Sequence, residues 1–217
     1  MPLFSHLIFD LDGTLVNSKV GLYNSLTHML DQMELTIDRF EHVDLNQLIG
    51  PPIQEGLKNI LGFDRKQVDL GVKLFREYYS QQGLYEGEVY PGIAELLEEL
   101  HRQGCRLFVA TSKKNDFTPV VLRHFELDHY LTDFEGSGDG GKHTKAELIT
   151  RLMDRNQLQP SPEIVMIGDT KFDIVGGKAN EISTIGVGYG FGNSEEMHTL
   201  HPDYFAEDVE ELAELLI

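Results

Sequence analysis

Short, continuous apolar runs alternate along this chain with stretches in which apolar positions recur every three or four residues. Five runs read as buried parallel strands: Leu7–Asp10, Arg106–Thr111, Tyr130–Phe134, Ile164–Gly168 and Ser183–Val187. Most are apolar and closed by Asp, Thr or Gly, the form taken by strands covered on both faces. Ile93, Leu96, Leu97 and Leu100 follow the i, i+3, i+4, i+7 rule after Pro91-Gly92, a helix start. Ala146, Ile149, Leu152 and Met153 repeat that spacing, and Glu210–Leu216 closes the chain as another helix. Strands alternating with helices predict an α/β fold with a doubly wound parallel sheet. Ligands of such sheets bind at the carboxyl ends of the strands, near the point where strand order reverses.

The interval Val16–Tyr85 departs from this rhythm. It holds four helical stretches, Leu22–Met33, Phe40–Ile49, Ile53–Leu61 and Lys66–Gln82, and no convincing strand. Gly50-Pro51-Pro52 and Gly62-Phe63-Asp64 punctuate it. The expected organisation is therefore an α/β core from residues 1–16 and 86–217, interrupted by an inserted helical domain over 17–85. Hinges are expected near Val16–Ser18 and Gly83–Val89.

Composition narrows the partners. A chain of 217 residues with 41% hydrophobic and 25% charged residues can bury a sizeable core. Eighteen basic against 36 acidic residues give a net charge of −18, which argues against nucleic acid or an anionic membrane as main partner. An anionic small molecule is compatible with that charge, because a metal ion and a few donors can outweigh the global field locally. The single Cys105 excludes an internal disulfide and suits a reducing compartment. With no leader-like start and no long apolar span, a cytoplasmic location is expected, as a monomer or homodimer.

Four places carry chemistry. The first strand ends in Phe9-Asp10-Leu11-Asp12-Gly13-Thr14-Leu15. Alternation in an extended chain sends Asp10 and Asp12 to one side, where two carboxylates are costly without a cation or proton between them. Asp-x-Asp alone reads equally as an acidic turn. The second strand ends in Val109-Ala110-Thr111-Ser112-Lys113, either a helix N-cap or a hydroxyl and free N–H groups that cradle phosphate. A Gly-rich stretch, Gly136-Ser137-Gly138-Asp139-Gly140-Gly141, precedes Lys142 and Lys145. Finally, Ile164–Gly168 leads into Asp169 and, four residues on, Asp173. A helical turn after Gly168 would place that pair on one face as hard oxygen ligands for Mg2+.

Together and in this order, the four segments resemble the motifs of the haloacid dehalogenase-like hydrolases, over essentially the whole chain. The resemblance implies a phosphatase that attacks a small phosphorylated metabolite with a carboxylate. Asp10 would be the nucleophile, and Asp12 would protonate the leaving group and then activate water. Thr111 and Ser112 would hold phosphoryl oxygens, and Lys145, which fits the helix start better than Lys142, would offset charge there. Mg2+ would be bound by Asp10, Asp169 and the backbone carbonyl of Asp12, with Asp173 supporting it from nearby. The helical insert would be a cap. Asp12 argues against the dehalogenase branch, since a halide leaves without a proton. The subgroup resembled is phosphoglycolate phosphatase-like. The other readings are a 5′-nucleotidase-like substrate range, a sugar-phosphate mutase and a binding protein that kept the fold without turnover. Asn17 departs from the acidic residue that often follows the first motif.

Other features read as structural. His198 and His201 lack companion zinc ligands; Phe75, Tyr78 and Tyr79 face the interior of the helical insert; His143 is solvent-exposed. Arg76 lies on the insert surface or pairs with a substrate carboxylate, and Gly50-Pro51-Pro52 breaks a helix or presents backbone to substrate.

Overall fold

A computed structural model describes residues 3–36, 48, 53–138 and 143–217. The chain divides into two compact units, Met1–Asn17 with Glu88–Ile217, and Ser18–Gly87.

The first unit is built on a six-stranded sheet. Its strands are β1 (His6–Phe9), β4 (Arg106–Lys114), β5 (Asp133–Ser137), β6 (Ile164–Gly168), β7 (Ser183–Val187) and β8 (Tyr204–Ala206). Their order is β5-β4-β1-β6-β7-β8, and every pairing is parallel. Strand order reverses at β1, so the crevice beside its carboxyl end is the switch point. Phe9 lies in register with Val109 on one side and Ile167 on the other, and the Asp10 N–H still donates to Ile167 O at 2.9 Å. That ladder holds the start of the first motif to the sheet.

The helices α4 (Ile93–Arg102), α5 (Thr118–His124), α6 (Lys145–Arg155), α7 (Lys171–Ala179), α8 (Ser194–Thr199) and α9 (Val209–Leu216) complete this unit. The apolar faces are those the periodicity marks: Ile93, Leu96, Leu97 and Leu100 of α4 are buried, as are Ile149, Leu152 and Met153 of α6. The α6 face packs with Ile8, Phe108 and Met166 in one cluster. Gly176 and Gly177 let α7 approach closely. A Cβ on Gly176 would lie 3.0 Å from Lys145 Cγ, and one on Gly177 would lie 2.5 Å from Thr184 Cγ2. Without those small residues α7 could not bring Asp173 beside the start of α6.

The chain leaves and re-enters this unit through a two-stranded antiparallel ribbon, β2 (Val16–Asn17) with β3 (Glu88–Val89). The second unit contains α1 (Lys19–Gln32), α2 (Ile53–Asn59) and α3 (Arg65–Tyr78), the last continuing into a π-helical turn, Tyr79–Gly83. Leu26, Met29, Leu30, Leu57, Val72, Phe75 and Tyr79 form its interior. A capping box between Asp64 and Gln67 starts α3. Tyr78, expected inside, instead carries its hydroxyl to Glu86 at 2.9 Å.

Two expectations shift. The strand placed at Tyr130–Phe134 runs over Asp133–Ser137, and Asp128–Tyr130 is a short 3-10 turn. Glu135 misleads: it is buried because Arg151 and Arg155 pair with it, so a charge that suggests a loop lies inside a strand. Gly136 is also ladder, placed where a Cβ would meet Asn115 Cα at 2.7 Å. The helix set at Lys66–Gln82 ends its α-helical part at Tyr78, where the π turn begins. The helix expected over Phe40–Ile49, apart from Leu48, lies outside the described residues, as do Gly50-Pro51-Pro52 and Lys142.

Candidate active site

The carboxyl ends of β1, β4 and β6 bring Asp10, Thr111 and Asp169 to one edge of the sheet, and the starts of α6 and α7 add Lys145 and Asp173. Asp10, Asp169 and Asp173 are buried, and one ligand oxygen from each lies within 4.8 Å of the others. Lys145, with its side chain 3% exposed, reaches into this group. Its Nζ lies 2.8 Å from Asp10 Oδ2, 2.8 Å from Asp173 Oδ1 and 3.0 Å from Ala110 O. The ammonium donates a hydrogen bond to Ala110 O, and Asp173 Oδ1, at ion-pair distance from it, has no hydrogen-bond partner among the described residues.

Each carboxylate is held by its own local chemistry. Asp10 Oδ1 accepts from the Leu11 N–H at 2.7 Å. Asp173 Oδ2 accepts from both the N–H and the hydroxyl of Thr170, at 3.0 and 2.8 Å. The glycine closing β6 is required here, since a Cβ on Gly168 would stand 2.2 Å from Asp173 Cγ. Asp169 is gripped from two loops. Thr14 donates to its Oδ1 at 3.2 Å, and the N–H groups of Phe191 and Gly192 donate to Oδ2 at 2.8 and 3.3 Å. Gly13 turns the first loop at φ 84°, and a Cβ there would lie 2.3 Å from Asp169 Oδ2. Gly190 is as tightly placed, 2.3 Å from Asp169 Cβ. Tyr189 ties the loops together by donating to Thr14 O at 3.1 Å.

Electrostatics set the site apart. Burial pushes the Asp169 carboxyl up to about 7, helped by the charges of Asp10 and Asp173. Burial likewise raises Asp10 to about 6, against the pull of Lys145. Burial alone would lower Lys145, but Asp10 and Asp173 outweigh it and hold its pKa above the ordinary value. Three buried carboxylates against one ammonium leave about two uncompensated negative charges when all are ionised. A donor set of hard, anionic oxygens short of two positive charges fits a divalent cation of the Mg2+ type.

Asp12 stands apart from this trio. Its Oδ2 pairs with Lys113 Nζ at 3.0 Å, and its Oδ1 is buried with no hydrogen-bond partner among the described residues. Thr111 is buried, with its Oγ1 accepting from the Lys113 N–H at 3.2 Å. Ser112 is exposed, and its carbonyl accepts from Ser137 Oγ at 2.7 Å. Sequence reasoning missed Lys113, Thr14 and the Tyr189–Gly192 loop. Lys113 was legible in principle, because β4 extends to Lys114 and alternation points residues 111 and 113 to the same side. His143, expected to be solvent-exposed, is half-buried, with its Nε2 2.9 Å from Arg151 Nη1.

A parallel sheet with carboxylates and a lysine gathered at its switch point defines an α/β enzyme. Comparison with known proteins gives the family: the haloacid dehalogenase-like hydrolase pattern matches residues 7–187, and the chain belongs to that family. It is 37% identical over 214 residues to a 5′-nucleotidase of Pseudomonas aeruginosa, covering 98% of this chain and 96% of that protein. It is 28% identical to a phosphoglycolate phosphatase of Vibrio parahaemolyticus, over 97% of this chain and 95% of the relative. A solved haloacid dehalogenase-like family hydrolase of Streptococcus pneumoniae superposes with a TM-score of 0.87 at 30% identity, over 98% of each chain. The chain is a phosphatase of this family, a phosphoric monoester hydrolase.

Proposed function

We propose that this chain is a Mg2+-dependent phosphatase of small phosphomonoesters that works through an aspartyl-phosphate on Asp10. The observation that carries the reading is Lys145 set between Asp10 and Asp173 beside Asp169, with Asp12 two residues from Asp10 and outside that cluster. Asp10 and Asp169, with the Asp12 backbone carbonyl, would hold the metal, and Asp173 would support it. When bound, that ion supplies charge neutralisation for the phosphoryl oxygens.

The chain's own residues do the rest. Lys145 keeps Asp10 ionised and aimed, so that a carboxylate oxygen can attack phosphorus in line. The bond to the leaving oxygen breaks as Asp12 gives that oxygen a proton. Asp12 then takes a proton from water, the resulting hydroxide attacks phosphorus, and the Asp10–phosphorus bond breaks to release phosphate and restore the carboxylate. The Thr111 hydroxyl and the Ser112 N–H serve as donors to phosphoryl oxygens. To Ser18–Gly87 we assign the role of cap, the seat of substrate choice.

On substrate, 37% identity to a 5′-nucleotidase against 28% to a phosphoglycolate phosphatase puts a 5′-nucleotide ahead of phosphoglycolate. The test is phosphate release from 5′-nucleotides, phosphoglycolate, sugar phosphates and p-nitrophenyl phosphate, with Mg2+ and with EDTA. Metal-dependent release concentrated on the nucleotides supports the proposal. Equal rates in EDTA overturn the metal requirement, and release from phosphoglycolate alone overturns the substrate ranking.

A further inference from the structure

We propose that Lys113 is a positioning residue for proton transfer: by anchoring Asp12 Oδ2 it assigns Oδ1 as the oxygen that delivers and takes up the proton. This rests on the acid–base role given to Asp12 above.

The two lysines of the site do different work. Lys145 forms ion pairs with Asp10 and Asp173 and donates to Ala110 O, while Asp12 is paired with Lys113. Lys113 enters from another element, the far end of β4, with its side chain 3% exposed and its Nζ 3.0 Å from Asp12 Oδ2. The pairing register of β4 with β5 shifts between Thr111 and Lys114, so this end of the strand departs from the regular ladder. Lys113 is buried and Asp12 half-buried, its side chain 23% exposed, so the contact differs from an ion pair between two fully exposed side chains.

The consequence for Asp12 is geometric. The terminal torsion of an aspartate is broad and nearly two-fold, so its two oxygens exchange places unless one is fixed. An N–H donor on Oδ2 occupies the direction a proton would take on that atom. Oδ1 is buried, and no described residue donates to it. It is the atom left to carry a proton. In the first step the Oδ1–H bond breaks as the proton passes to the leaving oxygen and the phosphorus–oxygen bond cleaves. In the second, Oδ1 takes a proton from water as the new oxygen–phosphorus bond forms.

The test uses the full chain with Mg2+ and the variants K113M, K113R, D12N and K113M/D12N. The readout is kcat/KM, which reports only steps up to phosphorylation of Asp10, for a 5′-nucleotide and for p-nitrophenyl phosphate. A general acid matters for the alkoxide and little for the nitrophenolate. K113M is expected to lower kcat/KM by about 10–100-fold on the nucleotide and by less than about 3-fold on the aryl ester. K113R should recover most of the loss, and K113M should cost nothing further in D12N. Equal losses on both substrates would make Lys113 a phosphate ligand or a purely structural residue and overturn the proposal, as would additive losses in the double variant. If D12N itself shows no leaving-group dependence, the reading of Asp12 falls and this proposal with it. If D12N shows it and K113M does not, only this proposal falls. Should K113M fail to fold, K113Q carries the same comparison.

Discussion

The stability of the metal-free protein should fall as pH rises from about 5 to about 8, and Mg2+ should remove most of that fall. In the folded chain Asp169 titrates at about 7 and Asp10 at about 6, against 3.8 for the unperturbed carboxyl. Both pKa values are raised by folding, so the folded chain binds more protons than the unfolded one across this window. The stabilisation is complete below the unfolded value and is lost as pH climbs through 6 to 7. From about pH 5 upward, Asp169 accounts for about two units and Asp10 for about one. At about 1.4 kcal/mol per unit, that is about 4 kcal/mol. Lys145, its pKa raised, stays charged throughout and adds no slope. His6, depressed by burial and by Arg106, works in the opposite direction; it opens β1, four residues before Asp10.

Mg2+ competes with exactly those protons, so its effect must depend on pH. At about 100 times its dissociation constant at pH ~8, the ion adds about 2.7 kcal/mol. For a protein of this size that is a rise in Tm of roughly 5–11 °C. Near pH 5 the ion must first displace the protons, which weakens it by about three decades and leaves almost no shift. The assay is thermal denaturation at the two pH values, with Mg2+ and with EDTA, on the native chain and on D169N. An equal Mg2+ shift at both pH values, or an unchanged shift in D169N, would refute the assignment of the buried carboxylates as the metal site.

Three further outcomes follow from individual contacts. Asp10→Asn replaces the proposed nucleophile with a neutral amide; turnover should drop by more than about 10³-fold, with no phosphorylated protein detectable by mass spectrometry and the circular dichroism unchanged. Gly190→Ala forces a Cβ to within 2.3 Å of Asp169 Cβ and 2.4 Å of Gly13 O, so Mg2+ activation should need about 10–100-fold more metal, read from the activity titration. Leu97→Ala empties a fully buried position of α4 and should cost about 3–5 kcal/mol in denaturant unfolding while leaving KM unchanged.

The alternation of strands and helices was readable because the central strands are apolar from end to end, as Leu7, Ile8 and Phe9 are at zero exposure. What failed to read was wherever burial was secured by a partner far along the chain. Glu135 is inside only because arginines 16 and 20 residues away reach it, and no local pattern announces that. The strand β8 and the helices α5 and α8 are three to seven residues long, too short to show a period. At the site, Asp10, Lys145, Asp169 and Asp173 stood in local strings with a chemical signature, and the fold brings these four together. Lys113 and Gly13 stand inside such strings, but nothing local in them announces their partners, and Gly190 stands in none. Their roles arise from contacts 100 or more residues apart, between Lys113 and Asp12 and between Gly13 and Asp169.

Those long-range contacts explain how so acidic a chain can receive an anion. The net charge of −18 repels a phosphomonoester at a distance, but salt screens that field within about 8–10 Å. What the substrate meets is the balance inside. Asp12 and Lys113 cancel each other, and Lys145 cancels one of the three clustered carboxylates. The remaining two charges match one divalent ion, so with such an ion bound, as proposed, the site would present a near-neutral, donor-lined locus to a dianionic phosphate. The same arithmetic explains why the carboxylates are packed to the point where Gly13, Gly168 and Gly190 can carry no side chain. Looser packing would admit water, let Asp10 and Asp169 ionise at their ordinary values and weaken the field at the proposed cation site. The glycines therefore belong to the electrostatics of the site as much as to its turns.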